Sequence, residues 1–260
     1  VQDIPIGTII EDLFEEYRFF MKKRGLKAST VNSNLCWLSR LMFRAVSKRI
    51  IRCNPFENTK YEKEEKKIRF LQKGDVMKLM AMKMNDKEAE LARQMFIFSC
   101  FTGLAYIDVA NLTPDNIVML GGKEWIMTKR QKTSVETNVL LLDIPKRIVS
   151  KYSHQTYRDG KLFPILSNQK TNSYLKEIAD ICGISKNLTF HLARHTFATL
   201  CLSKGVPMES VSKMLGHTNI RTTQIYARIT NKKIEHDMEQ FADKLGKFNT
   251  AMGIGENSWQ

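Results

Sequence analysis

The sequence contains few cysteines, and their placement excludes two kinds of structural site. Its five cysteines are scattered along 260 residues, and no two are spaced as a Cys-x-x-Cys pair. An odd, dispersed set argues against a disulfide framework and against a cysteine zinc site. We therefore expect a reduced, cytoplasmic protein.

Long apolar segments and targeting signals are also absent. No run of about 18 apolar residues occurs, so no membrane span is predicted. The N-terminal segment VQDIPIGTII has neither a basic region nor a long apolar region, which argues against a secretory signal. The chain does not begin with Met, and we expect it to be a trimmed piece of a longer protein.

Two further absences concern cofactors. No Gly-x-x-x-x-Gly-Lys-Ser/Thr loop is present to bind a nucleoside triphosphate, and no clustered carboxylates offer a metal site. The sequence therefore predicts chemistry that uses neither a cofactor nor a metal.

Basic residues are present in excess and are unevenly distributed. The net charge is +14, and the isoelectric point is about 9.6. Residues 1–17 hold five acidic residues and no basic one, whereas residues 18–73 hold sixteen Lys or Arg and four Glu. A segment this basic repels itself unless an acidic partner faces it, and a polyphosphate backbone is the commonest such partner. A solvated basic surface is the alternative. A membrane surface is disfavoured, since the basic residues are spread over several elements.

Hydrophobic periodicity predicts a small helical domain over residues 1–59. Apolar residues recur at helical spacing over 9–21, and Gly25 follows as a C-terminal cap. Ser29 or Thr30 is predicted to cap a second helix. The charged segment 60–69 has no apolar face, so we interpret it as an interdomain linker.

The rest of the chain predicts a larger domain over residues 70–249 and a flexible tail over 250–260. The period changes near Asn116, which favours a small antiparallel sheet with strands at 116–120, 124–130 and 135–142. The architecture is therefore mainly α with a small antiparallel β-sheet. Helices are predicted to start at Asp75 and near Pro145, and to cover Glu88–Cys100, Thr171–Cys182, His191–Lys204, Met208–Leu215, Thr218–Ala227 and 231–246.

Five side chains in this larger domain form a candidate reaction centre. His191 and Arg194 lie three residues apart on one helix face, His217 follows a helix-ending glycine, Tyr226 lies nine residues later, and Lys132 occupies a polar turn between two strands. Taken singly, they have ordinary interpretations: a capping His, a surface Arg, a structural His, a core Tyr and an exposed hairpin Lys.

Taken together, the five side chains match the needs of phosphodiester chemistry. The reacting phosphate requires cations and donors around its transition state, a nucleophile and a proton source. Arg194 can clamp two non-bridging oxygens. His191 and His217 can donate hydrogen bonds, or one of them can take the nucleophile's proton. Tyr226 can become linked to phosphorus, and Lys132 can protonate the leaving oxygen.

With these five side chains in this order, the sequence resembles the tyrosine recombinase (phage integrase) family. The stretches that carry the resemblance are FSCFTGLAYIDVANLTPDNI, KRQKTS, TFHLARHTFATL and MLGHTNIRTTQIYARI, which follow the family's order. The stretch TGLAYIDVANLT most resembles the corresponding sequence in integrases of conjugative transposons and related mobile elements. The resemblance implies that Arg194, His191, His217, Lys132 and Tyr226 carry the family's catalytic roles.

The same resemblance implies an architecture and an activity. A helical core-binding domain and a catalytic domain of the DNA breaking-rejoining fold would form a clamp on double-stranded DNA. The activity would be site-specific cleavage and rejoining of DNA strands through a 3′-phosphotyrosine intermediate, with chemistry like that of a type IB topoisomerase. The implied partners are core or attachment sites, further copies of the chain in a tetrameric synaptic complex and a host DNA-bending factor, all at the nucleoid. The helix 231–246 would dock on a neighbouring protomer.

One departure from the family pattern concerns the residue after Thr-Gly-Leu. The family places a first catalytic Arg there, and this chain has Ala105. Arg93 lies twelve residues earlier, too far along a helix to substitute. We expect Arg130 or Lys129, beside the hairpin Lys, to replace it. Asp108 is predicted to support neighbouring catalytic residues.

Two other function classes stay open on the sequence. A non-catalytic DNA-binding module would explain Ala105, with Met208–Leu215 and Thr218–Ala227 forming a helix-turn-helix. A type IB topoisomerase would share the chemistry. In each case DNA would contact basic residues of the helical domain, which are Lys22, Lys23, Arg24, Lys27, Arg40, Arg44, Lys48 and Arg49.

Overall fold

The computed structural model describes residues 4–62, 69–154, 157, 160–227, 238–239, 241–243 and 245. The chain divides into two compact units, residues 1–67 and residues 68–260. The division falls within the segment predicted as a linker.

The first unit is built on two helices. A short 3-10 turn at Ile6–Thr8 precedes α1 (Glu11–Lys23) and α2 (Ala28–Ser47). Their apolar faces meet in a core of buried side chains, namely Phe14, Met21, Val31, Leu35, Met42 and Phe56.

The predicted cap of the second helix is wrong. α2 begins at Ala28 after Lys27, which makes no side-chain capping bond, and Ser29 and Thr30 lie inside the first turn. Thr30 and Val31 already donate their backbone N–H groups to the Lys27 carbonyl, so the turn is closed before either hydroxyl can cap it.

The start of the predicted linker is bonded to the helices of the first unit. Arg18 donates to the Lys60 carbonyl, and Asn32 donates to the Glu62 carbonyl at 2.8 Å. Lys22 forms an ion pair with Glu62 at 2.9 Å. Residues 60–62 therefore stay with the helical unit, and residues 63–68 lie outside the described part of the chain.

The second unit is mainly helical. Asp75 does not start its first helix as predicted, because it is the third residue and accepts the backbone N–H of the capping residue Gln72. The helices are α3 (Lys73–Ala81), α4 (Lys87–Thr102), α5 (Tyr106–Ala110), α6 (Asp143–Tyr152), α7 (Asn168–Ile181), α8 (Phe190–Ser203), α9 (Met208–Met214) and α10 (Arg221–Gln224), with a 3-10 turn at Pro114–Asn116.

The predicted antiparallel sheet is present. Strands β1 (Ile117–Leu120), β2 (Lys123–Lys129) and β3 (Glu136–Leu140) lie in the order β1-β2-β3, and both pairings are antiparallel. Ile126 pairs with Val139, and both are buried. The predicted fold class, mainly α with a small antiparallel sheet, is confirmed.

The predicted helix at Thr218–Ala227 is wrong. Only Arg221–Gln224 are helical, and Tyr226 lies in the turn that follows. The Asn219 side chain accepts the backbone N–H of Arg221, so the helix starts later than its apolar pattern suggests. A four-residue α10 also contradicts the helix-turn-helix interpretation. The predicted helix 231–246 falls largely outside the described residues, as does the tail 250–260.

Along the described ranges, no helix has both the length and the apolar character needed to cross a membrane.

Candidate active site

Arg194 is a buried guanidinium at the centre of the second unit. Only 2% of the residue is exposed, and α8 carries it between the ends of two other helices. Its Nη1 donates to the Gly103 carbonyl at 2.7 Å, and its Nη2 donates to the Leu215 carbonyl. Burial, followed by the charge of Arg130, lowers its pKa to about 10, so it keeps its charge at neutral pH. Neutral carbonyls only partly compensate a buried cation, so the Arg194 guanidinium favours the binding of an anion.

Gly103 makes the first of these contacts possible. It ends α4 in the left-handed region, with φ +72°, and releases its carbonyl towards Arg194. A Cβ on Gly103 would overlap the Phe197 ring, coming within 2.8 Å of its Cε1.

Replacement of Gly103 by Ala should therefore be strongly destabilising. The left-handed backbone costs a non-glycine residue about 1–2 kcal/mol, and the overlap with Phe197 adds a packing penalty. We expect the free energy of unfolding to fall by roughly 2–5 kcal/mol in urea titrations. Gly183→Ala is the matched control, because Gly183 has φ +60° and open space around a Cβ. Equal losses in the two variants would contradict this account.

The segment that follows α9 supplies the Leu215 carbonyl bonded to Arg194, and next to it Gly216 and a histidine. Gly216 has φ +60°, and its carbonyl accepts from Thr133 Oγ1 at 3.1 Å and Arg130 Nη1 at 3.4 Å. The neighbouring half-buried His217 bonds through Nδ1 to Thr223 Oγ1 at 2.9 Å. Burial, followed by Arg194 and Arg130, lowers the pKa of His217 to about 4, so the ring is neutral at neutral pH.

The turn between β2 and β3 brings basic groups to the same place. Arg130 is half-buried and reaches Gly216, whereas Lys129 is exposed at the end of β2. The Asp108 carboxylate accepts the backbone N–H of Gln131 at 3.0 Å, which ties the turn to α5. Lys132 is exposed in this turn. Asp108 therefore holds the backbone beside Lys132, as a supporting residue would.

His191 faces these charges from the first turn of α8. Partial desolvation, followed by the charges of Arg194, Arg130 and Lys132, lowers the pKa of the His191 ring.

Tyr226 completes the arrangement through a residue that the sequence reasoning missed. Its Oη lies 2.7 Å from Nδ1 of His195, the residue that follows Arg194. The His195 ring also contacts His191, with centroids 4.3 Å apart. Burial raises the pKa of Tyr226, and the charges of Arg194 and Arg130 oppose that rise. The spacing of His191 and His195, four residues on one helix face, was the available signal.

Arg93 is not available to replace the arginine that is absent at Ala105. Ala105 is the residue before α5, two positions after Gly103. Arg93 is buried and pairs with Glu90 at 2.6 Å while donating to the Leu79 carbonyl, also at 2.6 Å. Its guanidinium is therefore committed to α3 and α4. Across the described ranges, no group of His, Cys, Asp and Glu side chains is arranged to hold a metal ion.

The predicted DNA-contacting residues belong to the first unit. All eight are exposed, and Lys22 additionally pairs with Glu62. They are Lys22, Lys23, Arg24, Lys27, Arg40, Arg44, Lys48 and Arg49.

The fold and the site together define the class of tyrosine recombinases. The chain belongs to the Phage integrase family, which its sequence matches over residues 69–233. Residues 1–63 match the Phage integrase SAM-like domain.

Particular relatives agree with this assignment. The tyrosine recombinase XerD of Oceanobacillus iheyensis is 26% identical over 238 residues, which cover 86% of this chain and 79% of that protein. The Tn1549 transposon integrase, solved with a circular intermediate DNA, superposes with a TM-score of 0.77 at 18% identity and covers 92% of this chain and 87% of that one. A lambda integrase dimer bound to a core site gives a TM-score of 0.70 at 19% identity, covering 89% and 85%. The two structures share the fold of this chain.

Proposed function

We propose that the protein is a site-specific recombinase that cleaves and rejoins DNA strands through a 3′-phosphotyrosine on Tyr226. One observation carries the proposal. A tyrosine hydroxyl that bonds to α8 lies in the same unit as a buried, charged Arg194 held by the ends of α4 and α9. The anion-binding cation and the residue that bonds the nucleophile, Arg194 and His195, are thus neighbours on one helix.

The roles of the other side chains follow from their positions. Arg194 has five N–H donors, and its two described bonds leave donors for phosphate oxygens. Arg130 adds a second guanidinium beside Gly216. His191 and His217 donate hydrogen bonds to the phosphate. Lys132 protonates the leaving 5′-oxygen from its exposed turn.

This scheme requires no external source of free energy. A phosphotyrosyl bond is close in energy to the phosphodiester it replaces, so attack of the freed 5′-hydroxyl restores the strand without ATP. The same exchange is the chemistry of type IB topoisomerases, and site recognition would separate the present protein from that class.

The helical unit would supply much of the DNA affinity. Its exposed basic residues would neutralise backbone phosphates, which predicts binding that weakens steeply with salt. Two of the relatives named above are DNA complexes in their solved form, which supports this role. We further infer a tetrameric complex on paired sites at the nucleoid, a host DNA-bending factor, and a mobile element as the source of those sites.

A nicked suicide substrate tests the proposal directly. The nick lies just 3′ of the cleavage position, so the short 5′-hydroxyl fragment diffuses away and cannot religate. We expect the full chain to accumulate a protein–DNA adduct that survives denaturation, because phosphotyrosine is a covalent ester. Tight DNA binding without any covalent adduct would refute the proposal.

The competing function is a DNA-binding module of the same fold that has lost catalysis. Ala105 favours it, since the loss of one transition-state donor costs about 100- to 1,000-fold in rate. Such a module would leave the suicide substrate intact. Relaxation of supercoiled plasmid that lacks any cognate site would favour a topoisomerase instead.

A further inference from the structure

His195 makes the closest described contact to the nucleophile. Its Nδ1 lies 2.7 Å from the Tyr226 oxygen, and the two ring centroids are 5.3 Å apart. The residue follows Arg194 on α8, so the helix that holds the buried guanidinium also fixes this imidazole. The bond is therefore set by a rigid element, whereas Tyr226 lies in a turn after a four-residue helix.

The direction of this hydrogen bond follows from the charges around His195. Burial, followed by His191 and Arg194, lowers the pKa of the His195 ring to about 4, so it is neutral at neutral pH. Burial keeps the Tyr226 phenol protonated. A protonated phenol is the donor, and a neutral imidazole with its proton on Nε2 is the acceptor at Nδ1.

The two other histidines are placed differently. His217 uses Nδ1 to bond Thr223 Oγ1, which leaves only Nε2 for the phosphate. His191 reaches the nucleophile's neighbourhood through its ring contact with His195 at 4.3 Å. Among the three histidines, His195 is thus the one described as bonded to the phenol, and it accepts that hydrogen bond.

We propose that His195 accepts the proton of Tyr226 during strand cleavage, an inference that rests on the proposed function. In the forward step the Tyr226 oxygen bonds to phosphorus, and its proton passes to Nδ1 of His195. The bond from phosphorus to the 5′-oxygen breaks, and that oxygen takes a proton from the Lys132 ammonium. Rejoining reverses each transfer: the 5′-hydroxyl returns its proton to Lys132, and the His195 imidazolium returns its proton to the phenol.

Two substrates separate this role from the role of Lys132. One is the nicked suicide duplex with an ordinary scissile phosphate, and the other has sulfur in place of the bridging 5′-oxygen. A thiolate leaves without protonation, so the sulfur substrate removes the need for an acid and retains the need for a base. The measured quantity is the single-turnover rate of adduct formation by the full chain.

His195→Asn is the informative variant, because an Asn side-chain oxygen can accept the phenol hydrogen bond and cannot take the proton. We expect it to slow adduct formation by about 100-fold or more on both substrates. Lys132→Ala should be slow on the ordinary substrate and fast on the sulfur substrate. His154→Asn, at an exposed histidine after α6, should match the parent chain.

Three results would overturn the inference. A parental rate for His195→Asn would mean that Tyr226 needs a hydrogen-bond acceptor and no base. Recovery of His195→Asn on the sulfur substrate would move its role to the leaving group. A faster rate would mean that the bond restrains the tyrosine. His195→Gln provides a second acceptor without basicity if thermal unfolding shows that the Asn variant is unfolded. Absence of any adduct with the parent chain would instead refute the proposed function.

Discussion

Tyr226→Phe is expected to abolish the covalent protein–DNA adduct while DNA binding stays close to that of the parent chain. The substitution removes the only atom proposed to attack phosphorus and keeps the ring, which packs with Phe197, Val211 and Leu215. It also removes the bond to His195, at a cost of about 1 kcal/mol of stability. Denaturing gels of the suicide-substrate reaction and a binding titration measure the two effects.

Tyr61→Phe is the matched control for this loss. Tyr61 is 41% exposed in the helical unit, so its hydroxyl can be removed without touching the site. This variant should form adduct at the parental rate. Adduct formation by Tyr226→Phe would show that another residue attacks the phosphate, and peptide mapping of the adduct would identify it.

The parts of this site that the sequence predicted are those set by local spacing. His191 and Arg194 are placed by helical periodicity, and His217 by a helix-ending glycine, so each appears as a short pattern. The order of these patterns with Lys132 and Tyr226 then identified the family. The fold class follows from the hydrophobic pattern, because the change of period near Asn116 predicts the small sheet.

The parts that the sequence did not predict depend on contacts between distant elements. The Tyr226–His195 bond joins residues 31 positions apart, and no local pattern specifies it. The choice between Arg130 and Lys129 likewise depends on which side chain the strand turns towards Gly216. Lys129 ends β2 and Arg130 follows it, and neighbouring residues of an extended segment point to opposite faces, so a shift of one position exchanges them.

The error at Thr218–Ala227 has a different cause. The apolar pattern there fits a helix. However, the Asn219 side chain accepts the backbone N–H of Arg221, and the Thr223 hydroxyl bonds His217. Such bonds compete with helical ones, which shortens the element. The consequence is functional, since Tyr226 lies in a turn beside His195.

Arg130→Ala is expected to slow adduct formation by about 100- to 1,000-fold, the usual cost of losing one transition-state donor. Arg130 is the guanidinium that reaches Gly216 from the β2–β3 turn, close enough to influence Arg194, His217 and Tyr226. The turn should survive the change. Its backbone bonds to Val135 and Ser134 do not involve the side chain, and Thr133 still bonds Gly216. Single-turnover rates on the suicide substrate measure the effect.

Lys129→Ala controls for the loss of one positive charge at the neighbouring position. Because Lys129 is exposed and an exposed charge is largely screened, its rate should stay within about threefold of the parent. A sharper comparison restores the family arrangement. If Arg130 substitutes for the arginine absent at Ala105, then Ala105→Arg in the Arg130→Ala background should recover at least about tenfold of the lost rate, because a guanidinium again faces the phosphate. Equal losses of rate in Lys129→Ala and Arg130→Ala would mean that Arg130 contributes only its positive charge and no specific contact to the phosphate. No loss for either would leave Arg194 as the guanidinium on which cleavage depends.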